Sequence, residues 1–474
     1  MIILLNPPFL DNETSYHFNY SSAPYPNPAI GLLAAVLHQH GLDYAVIDAQ
    51  LNAFSLNDTL ALIAEKSAGK SIAYIGVSNS ATTLIENDMT TIRAIRTRFP
   101  GVPIVIGGAH SSAMPERTLN DCAEIDVVAR FEGIQTVVEL HDYYTRGGNF
   151  PSLADIKGIA YRNEGMPIRT PERPRDNRRW SEVGPSRFAE MGPAKTYMLF
   201  TAIGCPFRCS YCFNATNFNF STRSIDAIIA ELKYVVFDQK CSDFWLIDAT
   251  FAINRKHTEA VLRRMIDEGI AAKARWACTT RVNAVDDDLL LLMKAAGCYL
   301  VSFGVESTVD KVLERANKKT SRDMILDAFR GARRAKLQTN AFIVYGHIGE
   351  TEAEILDTME TIVKINPDEL NIGVMVPWPG TEVYDLAAGH REGLDLMDAD
   401  FKKYDKYFGS VLKHDGISHQ RLEFLRVQTY LKLFIANHRY ADFIKFCWTS
   451  RKGIYLKFFS RFGLGRTGVT ISSQ

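Results

Sequence analysis

Residues 204–214 read Gly-Cys-Pro-Phe-Arg-Cys-Ser-Tyr-Cys-Phe-Asn, a stretch that sets Cys205, Cys209 and Cys212 in a C-x3-C-x2-C array with no fourth cysteine near. This spacing constrains the chain more than any other feature. A closed structural zinc site takes four protein ligands, and a fully protein-held iron–sulfur cluster usually takes four thiolates. Three thiolates on a four-iron cluster leave one iron open to a substrate. An open iron is therefore the functional expectation. The alternatives are a zinc knuckle completed by a distant His and a chance grouping of thiols, and the flanking chain has to decide among them.

The chain around the motif supplies a frame. Tyr197–Thr201 reads as a short strand delivering the cysteine loop, followed by strands at Phe244–Ile247, Ala274–Thr279, Tyr299–Gly304, Gln338–Tyr345 and Leu370–Val376. Helical stretches at Ser224–Phe237, Lys256–Glu268, Asp286–Ala296, Ile325–Ala335 and Glu352–Ile365 lie between them, which makes six β/α units. Functional residues of such barrels gather where strands end, at the carboxyl-terminal face. The residues placed there are Phe213 and Asn214, Leu246–Phe251, Thr280 and Arg281, Phe303–Ser307, then Gly346, Gly349 and Glu350, and finally Val376–Thr381.

The cysteine spacing, with the aromatic Tyr211 before the third Cys, resembles the signature of radical S-adenosylmethionine (SAM) enzymes. The six β/α units match that family's partial (β/α)6 TIM-type barrel. The resemblance implies a 4Fe–4S cluster on Cys205, Cys209 and Cys212, with SAM chelated at the open iron through its amino and carboxylate groups. An electron from an external donor of flavodoxin or ferredoxin type then cleaves the sulfonium and releases a 5′-deoxyadenosyl radical. It also implies a set of SAM contacts. Tyr211 falls where the family's backbone touches adenine, and Phe213 closes the same loop. Asp248 stands where the SAM amino group binds, the usual glycine pair being absent. Arg281 is placed to pair with the carboxylate. Glu306 and Ser307, in a Gly-x-Glu-Ser match, are placed at the ribose and methionyl ends, although Glu306 has the alternative of capping the next helix. Gly346, in a Tyr-Gly-x-x-Gly-Glu turn, is expected near adenine.

From residue 1 to about 165, apolar runs alternate with helical patterns. Ile2–Leu5, Tyr44–Ile47, Ile72–Ser78, Ile104–Ile106 and Asp126–Ala129 read as strands of a parallel, Rossmann-like sheet. Ala29–His40, Asp58–Lys66, Glu86–Phe99 and Ile134–Tyr144 read as its helices. Ligands of such sheets bind beyond the carboxyl ends of the strands, where Asn6, Pro7, Ser78, Ser80, Gly107, Gly108, His110, Glu132 and Gly133 fall. Glycines there admit a large flat ligand, and the absence of G-x-G-x-x-G argues against a dinucleotide. Pro-x-x-Gly at Pro28–Gly31, the Gly-Gly-x-His ending at His110 and the pair Pro115-Glu116 resemble the cobalamin-binding domain fused to many radical SAM enzymes, of the class B methylase and anaerobic oxidative cyclase subgroup. The Asp-x-His-x-x-Gly loop that many such domains use for cobalt is absent after the first strand. His110 is the substitute to examine, with simple packing as its alternative.

The rest is less informative. Residues 166–195 read as a linker, with Pro171, Pro174, Pro185 and Pro193 among Arg173, Arg175, Arg178, Arg179 and Trp180. Its arginines are expected to be solvated, and the linker to help wall the site. Residues 196–395 make the barrel and 396–474 a helical C-terminal domain. In that tail, Phe443–Phe462 mixes aromatics with Lys and Arg, a pattern for packing over the site mouth or for peripheral contact with a membrane. Lys plus Arg and Asp plus Glu each number 54, so charge gives no case for a nucleic-acid partner. The other five of the eight cysteines are scattered singly and read as buried free thiols. Met1–Pro8 reads as a first strand rather than a signal peptide, and no apolar run is long enough to span a bilayer, so a reducing cytoplasm is the expected compartment. Taken with the resemblance, these features imply an enzyme that uses a 4Fe–4S cluster, SAM and cobalamin on a small-molecule substrate. Methylation of an unactivated carbon is the leading reading. A non-methylating cyclase or rearrangement enzyme is the alternative, and a cluster or cobalamin sensor is the reading from another class.

Overall fold

Four consecutive aliphatic residues, Ile2 to Leu5, can all be buried only inside a sheet covered on both faces. The computed structural model, which describes residues 1–10, 25–145, 152–174, 177–214, 218–404 and 411–449, places them so. Strand β1 (Ile2–Asn6) is followed by β2 (Tyr44–Asp48), β3 (Tyr74–Asn79), β4 (Ile104–Gly108), β5 (Val127–Ala129), β6 (Ile159–Asn163) and β7 (Met166–Arg169), in the sheet order β2-β1-β3-β4-β5-β6-β7. The first five strands are parallel. β6 and β7 add an antiparallel edge, so this sheet extends past residue 165 to Arg169. Side-chain caps start the crossover helices: Asn27 accepts from Ala29 and Ile30, and Ser55 forms a reciprocal box with Asp58.

The second sheet is wholly parallel, in the order β15-β14-β13-β12-β11-β8. Its chain begins with β8 (Tyr197–Leu199), a small antiparallel pair β9 (Ala202–Gly204) and β10 (Phe220–Thr222), and β11 (Asp243–Phe251). It continues with β12 (Arg275–Arg281), β13 (Cys298–Glu306), β14 (Gln338–Tyr345) and β15 (Glu369–Val374). The outer strands β8 and β15 are not paired with each other, so the sheet stays an open partial barrel. A hairpin of β16 (Leu394–Leu396) and β17 (Leu412–His414) and the helices His419–Ala436 and Tyr440–Thr449 complete the described chain.

The two-residue alternation of β1 divides its side chains between two cores. Ile3 and Leu5 pack with Ile63, Ile92 and Ile106 on one face. Ile2 and Leu4 face a second core that runs on into Phe244, Trp276, Phe303 and Ile343 of the barrel. The segment between the lobes is stitched to both: Arg187 donates its backbone N–H to Gly31, and Ser186 donates to Glu231 at 2.7 Å. The expectation of solvated linker arginines fails at Arg173, which is mostly buried and ion-paired with Glu139 at 2.7 Å. Arg175 and most of Phe443–Phe462 lie outside the described residues, as do the side chains of Arg178 and Cys447. No helix among the described residues is long and apolar enough to cross a membrane.

Candidate active site

The cysteine motif is the loop of the β9–β10 pair, whose ladder matches Gly204 to Phe220. The loop is fixed from three sides. Ser210 donates its N–H to Ala316 and accepts from Val383, each at 3.1 Å. The Asn317 amide donates to the Arg208 carbonyl at 2.6 Å, and the Asn214 amide donates to the Cys205 carbonyl. Cys205 and Cys209 are half-buried. Cys212 is open to the cavity yet ringed by protein, and this burial, with the neighbouring Cys209 and Cys205, pushes its thiol up to about 12. Metal coordination deprotonates such a thiol outright. Among the described residues, no three His, Cys, Asp or Glu side chains converge as ligands of a single metal ion would.

Beyond the loop, the carboxyl ends of the barrel strands contribute charged and polar groups. A register shift in the β13–β14 pairing between Gly304 and Glu306 breaks the strand alternation, the kind of irregularity that re-aims a side chain. Glu306 takes a φ of +67°, in the left-handed region that non-glycine residues rarely adopt outside functional or turn positions. Its carboxylate faces the cavity and pairs with Lys318 at 2.8 Å, with both side chains almost fully buried. Lys318 also donates to the Tyr211 hydroxyl at 3.2 Å. Burial and the nearby Glu306 hold that phenol far above its ordinary range. Lys318 is the functional residue that sequence reasoning missed. An acid at an apolar strand end demands a counter-charge, but nothing in the periodicity says that it lies twelve residues downstream.

One cavity of about 750 Å³ joins the two lobes. The barrel side presents Cys205, Cys209, Cys212, Tyr211, Phe213, Arg281 and Glu306. The first sheet presents Ser78, Gly107, Gly108, Glu132 and Gly133, together with Leu4, Gly76 and Ala129. Trp180 of the linking segment and Trp378 after β15 line it as well. Apart from the few charged groups, the surface is dominated by aliphatic, aromatic and glycine residues.

The other anticipated site residues do not line this cavity. Asp248 turns into the protein and accepts hydrogen bonds from the Thr201 and Ala202 N–H groups, at 2.7 and 3.2 Å, and from the Thr201 hydroxyl. Burial raises its pKa to about 6. Ser307 is buried against Thr358 and accepts the Val309 N–H. Gly346 donates to Glu350 at 2.8 Å, and a side chain on it would meet His414 of β17. Asn6 is committed to Asp48 and Asn27 in a buried network that also touches Ser80, and Pro7 is buried beside it. The His110 ring packs edge-on against Phe401, and burial lowers its pKa to about 4.

The lining fits the groups that the motifs call for. Three thiols face the cavity, and Gly107 and Gly108 bring bare backbone to it. Glu132 Oε1 is buried without a hydrogen-bond partner, an acceptor of the kind that the side-chain amides of a corrin satisfy. Comparison with known proteins agrees. Residues 199–362 match the model of the Radical SAM superfamily, and residues 20–141 match that of the B12 binding domain. An uncharacterised methyltransferase of Pyrococcus horikoshii is 26% identical over 86% of this chain and 88% of its own length. The anaerobic magnesium-protoporphyrin IX monomethyl ester cyclase of Cereibacter sphaeroides is 26% identical over 82% of this chain and 64% of its own. Among solved structures, the radical SAM methyltransferase TsrM from Kitasatospora setae, with cobalamin and a [4Fe–4S] cluster bound, shares the fold at a TM-score of 0.69, with 18% identity over 92% of this chain and 88% of that one. The chain thus joins a B12 binding domain and a radical SAM domain around one cavity, the make-up of a cobalamin-dependent radical SAM enzyme, with a 4Fe–4S cluster, SAM and cobalamin as the cofactors.

Proposed function

We propose that the chain methylates an unactivated carbon of a neutral, largely apolar small molecule. The observation that carries this reading is the single cavity in which the thiols of the barrel face the glycine-rich strand ends of the first sheet. When bound, the cluster and SAM supply a hydrogen-abstracting 5′-deoxyadenosyl radical, and cobalamin supplies the methyl group. The protein's part is to hold, orient and exclude water. Cys205, Cys209 and Cys212 hold the cluster. Glu306, ion-paired with Lys318 at 2.8 Å, would offer its two acceptor oxygens to the ribose diol of SAM, and the Tyr211–Phe213 segment would hold the adenine. Ser78, Gly107, Gly108, Glu132 and Gly133 take the corrin. Trp180 and Trp378 both wall the space, and Asn371 adds an amide to a lining that includes Phe342, Val344 and Met375. Arg281 and Lys318, the lining cations, are already engaged, which favours a substrate whose reacting part carries no charge.

The experiment supplies methyl-labelled SAM, cobalamin and a low-potential reductant to the anaerobically reconstituted enzyme, with a small-molecule extract as the substrate source. Methyl transfer gives S-adenosylhomocysteine and 5′-deoxyadenosine together, with label in a new small molecule. Deoxyadenosine without homocysteine product supports instead a non-methylating reading, which the similarity to the anaerobic cyclases favours.

A further inference from the structure

Cys209 differs from the other two thiols in what surrounds it. Arg281 directs Nη1 at Cys209 Sγ at 3.6 Å, and the Tyr211 hydroxyl lies within hydrogen-bond reach of the same sulfur. Cys205 has Thr250 Oγ1 at 3.7 Å, but that hydroxyl donates to the Ala249 carbonyl at 2.8 Å. Cys212 faces the Phe213 carbonyl, which is an acceptor. Of the three thiols, Cys209 is the one with a guanidinium directed at its sulfur and a phenol beside it.

Both donors are held in place. Arg281 is 4% exposed. Its Nη2 donates to the Lys318 carbonyl, its Nε donates to Asn283 at 3.2 Å, and its plane lies 3.9 Å from the Phe207 ring centre. The Tyr211 oxygen accepts from Lys318, which leaves the phenolic proton for the sulfur. An arginine fixed on four sides is poorly placed to swing toward an incoming carboxylate and well placed to act on the sulfur beside it.

Hydrogen bonds to cluster sulfurs and nearby positive charge stabilise the more negative oxidation state. We propose that Arg281, assisted by Tyr211, raises the reduction potential of the cluster through Cys209. The proposal rests on the reading that the three thiols hold a 4Fe–4S cluster. In the step concerned, the cluster gains one electron and an external one-electron donor loses one. No bond forms or breaks.

The test compares the parent chain with Arg281→Gln, Arg281→Lys and Tyr211→Phe, each reconstituted anaerobically without SAM. Iron is counted, and the reduced-cluster electron paramagnetic resonance signal is followed in a potentiometric titration. SAM binding is then measured separately. The expected result is about four irons per chain, as a 4Fe–4S cluster requires, with a more negative midpoint in Arg281→Gln. Tyr211→Phe shifts the same way by less, and Arg281→Lys falls between the parent and Arg281→Gln. An unshifted midpoint in fully loaded Arg281→Gln overturns the proposal, and weakened SAM binding at that unshifted midpoint returns Arg281 to the carboxylate role. If Arg281→Gln takes up no iron, Tyr211→Phe decides by the same criterion. A parent chain that takes up no iron overturns the cluster reading and the proposal with it.

Discussion

Asp248 shows how a residue can matter to the cluster without touching it. Its carboxylate gathers two backbone N–H groups and one hydroxyl from Thr201 and Ala202, at the entry to the strand that leads into Cys205. Asp248→Ala leaves those buried donors without an acceptor. We expect a loss of about 3 kcal/mol in urea unfolding and fewer irons per chain after reconstitution, with Asp248→Asn intermediate in both. The sequence placed Asp248 at a strand end, but not whether its side chain points to the cavity or behind it. That depends on the irregular pairing of β11 with β12 between Leu246 and Phe251, which periodicity does not reveal. Asp88 carries a second prediction at this scale. Burial raises its pKa to about 7 against the bonds from Asn79 and Asn87. The folded chain keeps the proton that the unfolded chain loses near pH 4, so this group's contribution to stability falls as pH rises from about 4 to about 7. Asp88→Asn should flatten the stability profile over that window, as measured by denaturant titration at several pH values.

At the scale of elements, the long helices and inner strands were legible because their apolar periods are uninterrupted. Glu352–Ile365 is read to the residue, and its Thr351–Glu354 capping box explains the sharp start. The small antiparallel pieces were not. Met166-Pro167-Ile168-Arg169 looks like a loop because of its proline, yet an edge strand tolerates one. The expected strand Tyr197–Thr201 stops at Leu199, and between it and β9 the Phe200 carbonyl accepts from Arg223 at 2.9 Å. Arg223 is fully buried and pairs with Glu231 at 2.9 Å, while also donating to Gly184 of the linking segment. Breaking one side of this pair, as in Glu231→Gln, should cost about 3–5 kcal/mol. Replacing both residues with apolar ones should cost much less, a contrast that a double-mutant cycle in thermal unfolding reads directly. Gly380 is a tighter constraint, since it sits at φ +80° and a Cβ there would stand 2.8 Å from the Phe213 ring. Gly380→Val should therefore push Phe213 out of place and weaken SAM binding in an equilibrium titration, with iron content retained.

At the scale of the molecule, the two lobes share one apolar core and one cavity. The lobe order, the cavity-lining cysteine loop and most of the glycine strand ends were legible from motifs, because those residues are fixed by local backbone demands. The tertiary partners were not, since the meeting of Glu306 with Lys318 depends on how the chain after β13 folds back, and Trp180 and Trp378 reach one cavity from segments far apart in the chain. The same packing takes His110 away from the cavity and onto Phe401. His110→Ala should accordingly leave the optical spectrum of bound cobalamin unchanged. The most direct test of the shared cavity is to purify the full chain anaerobically with cobalamin supplied and to count iron and cobalt in the same sample. The account predicts about four irons and one cobalt per chain, and a Cys205, Cys209 and Cys212 triple alanine variant that loses the iron and keeps the cobalt. Full iron with no cobalt would contradict it, leaving the first lobe as a platform and removing cobalamin from the chemistry.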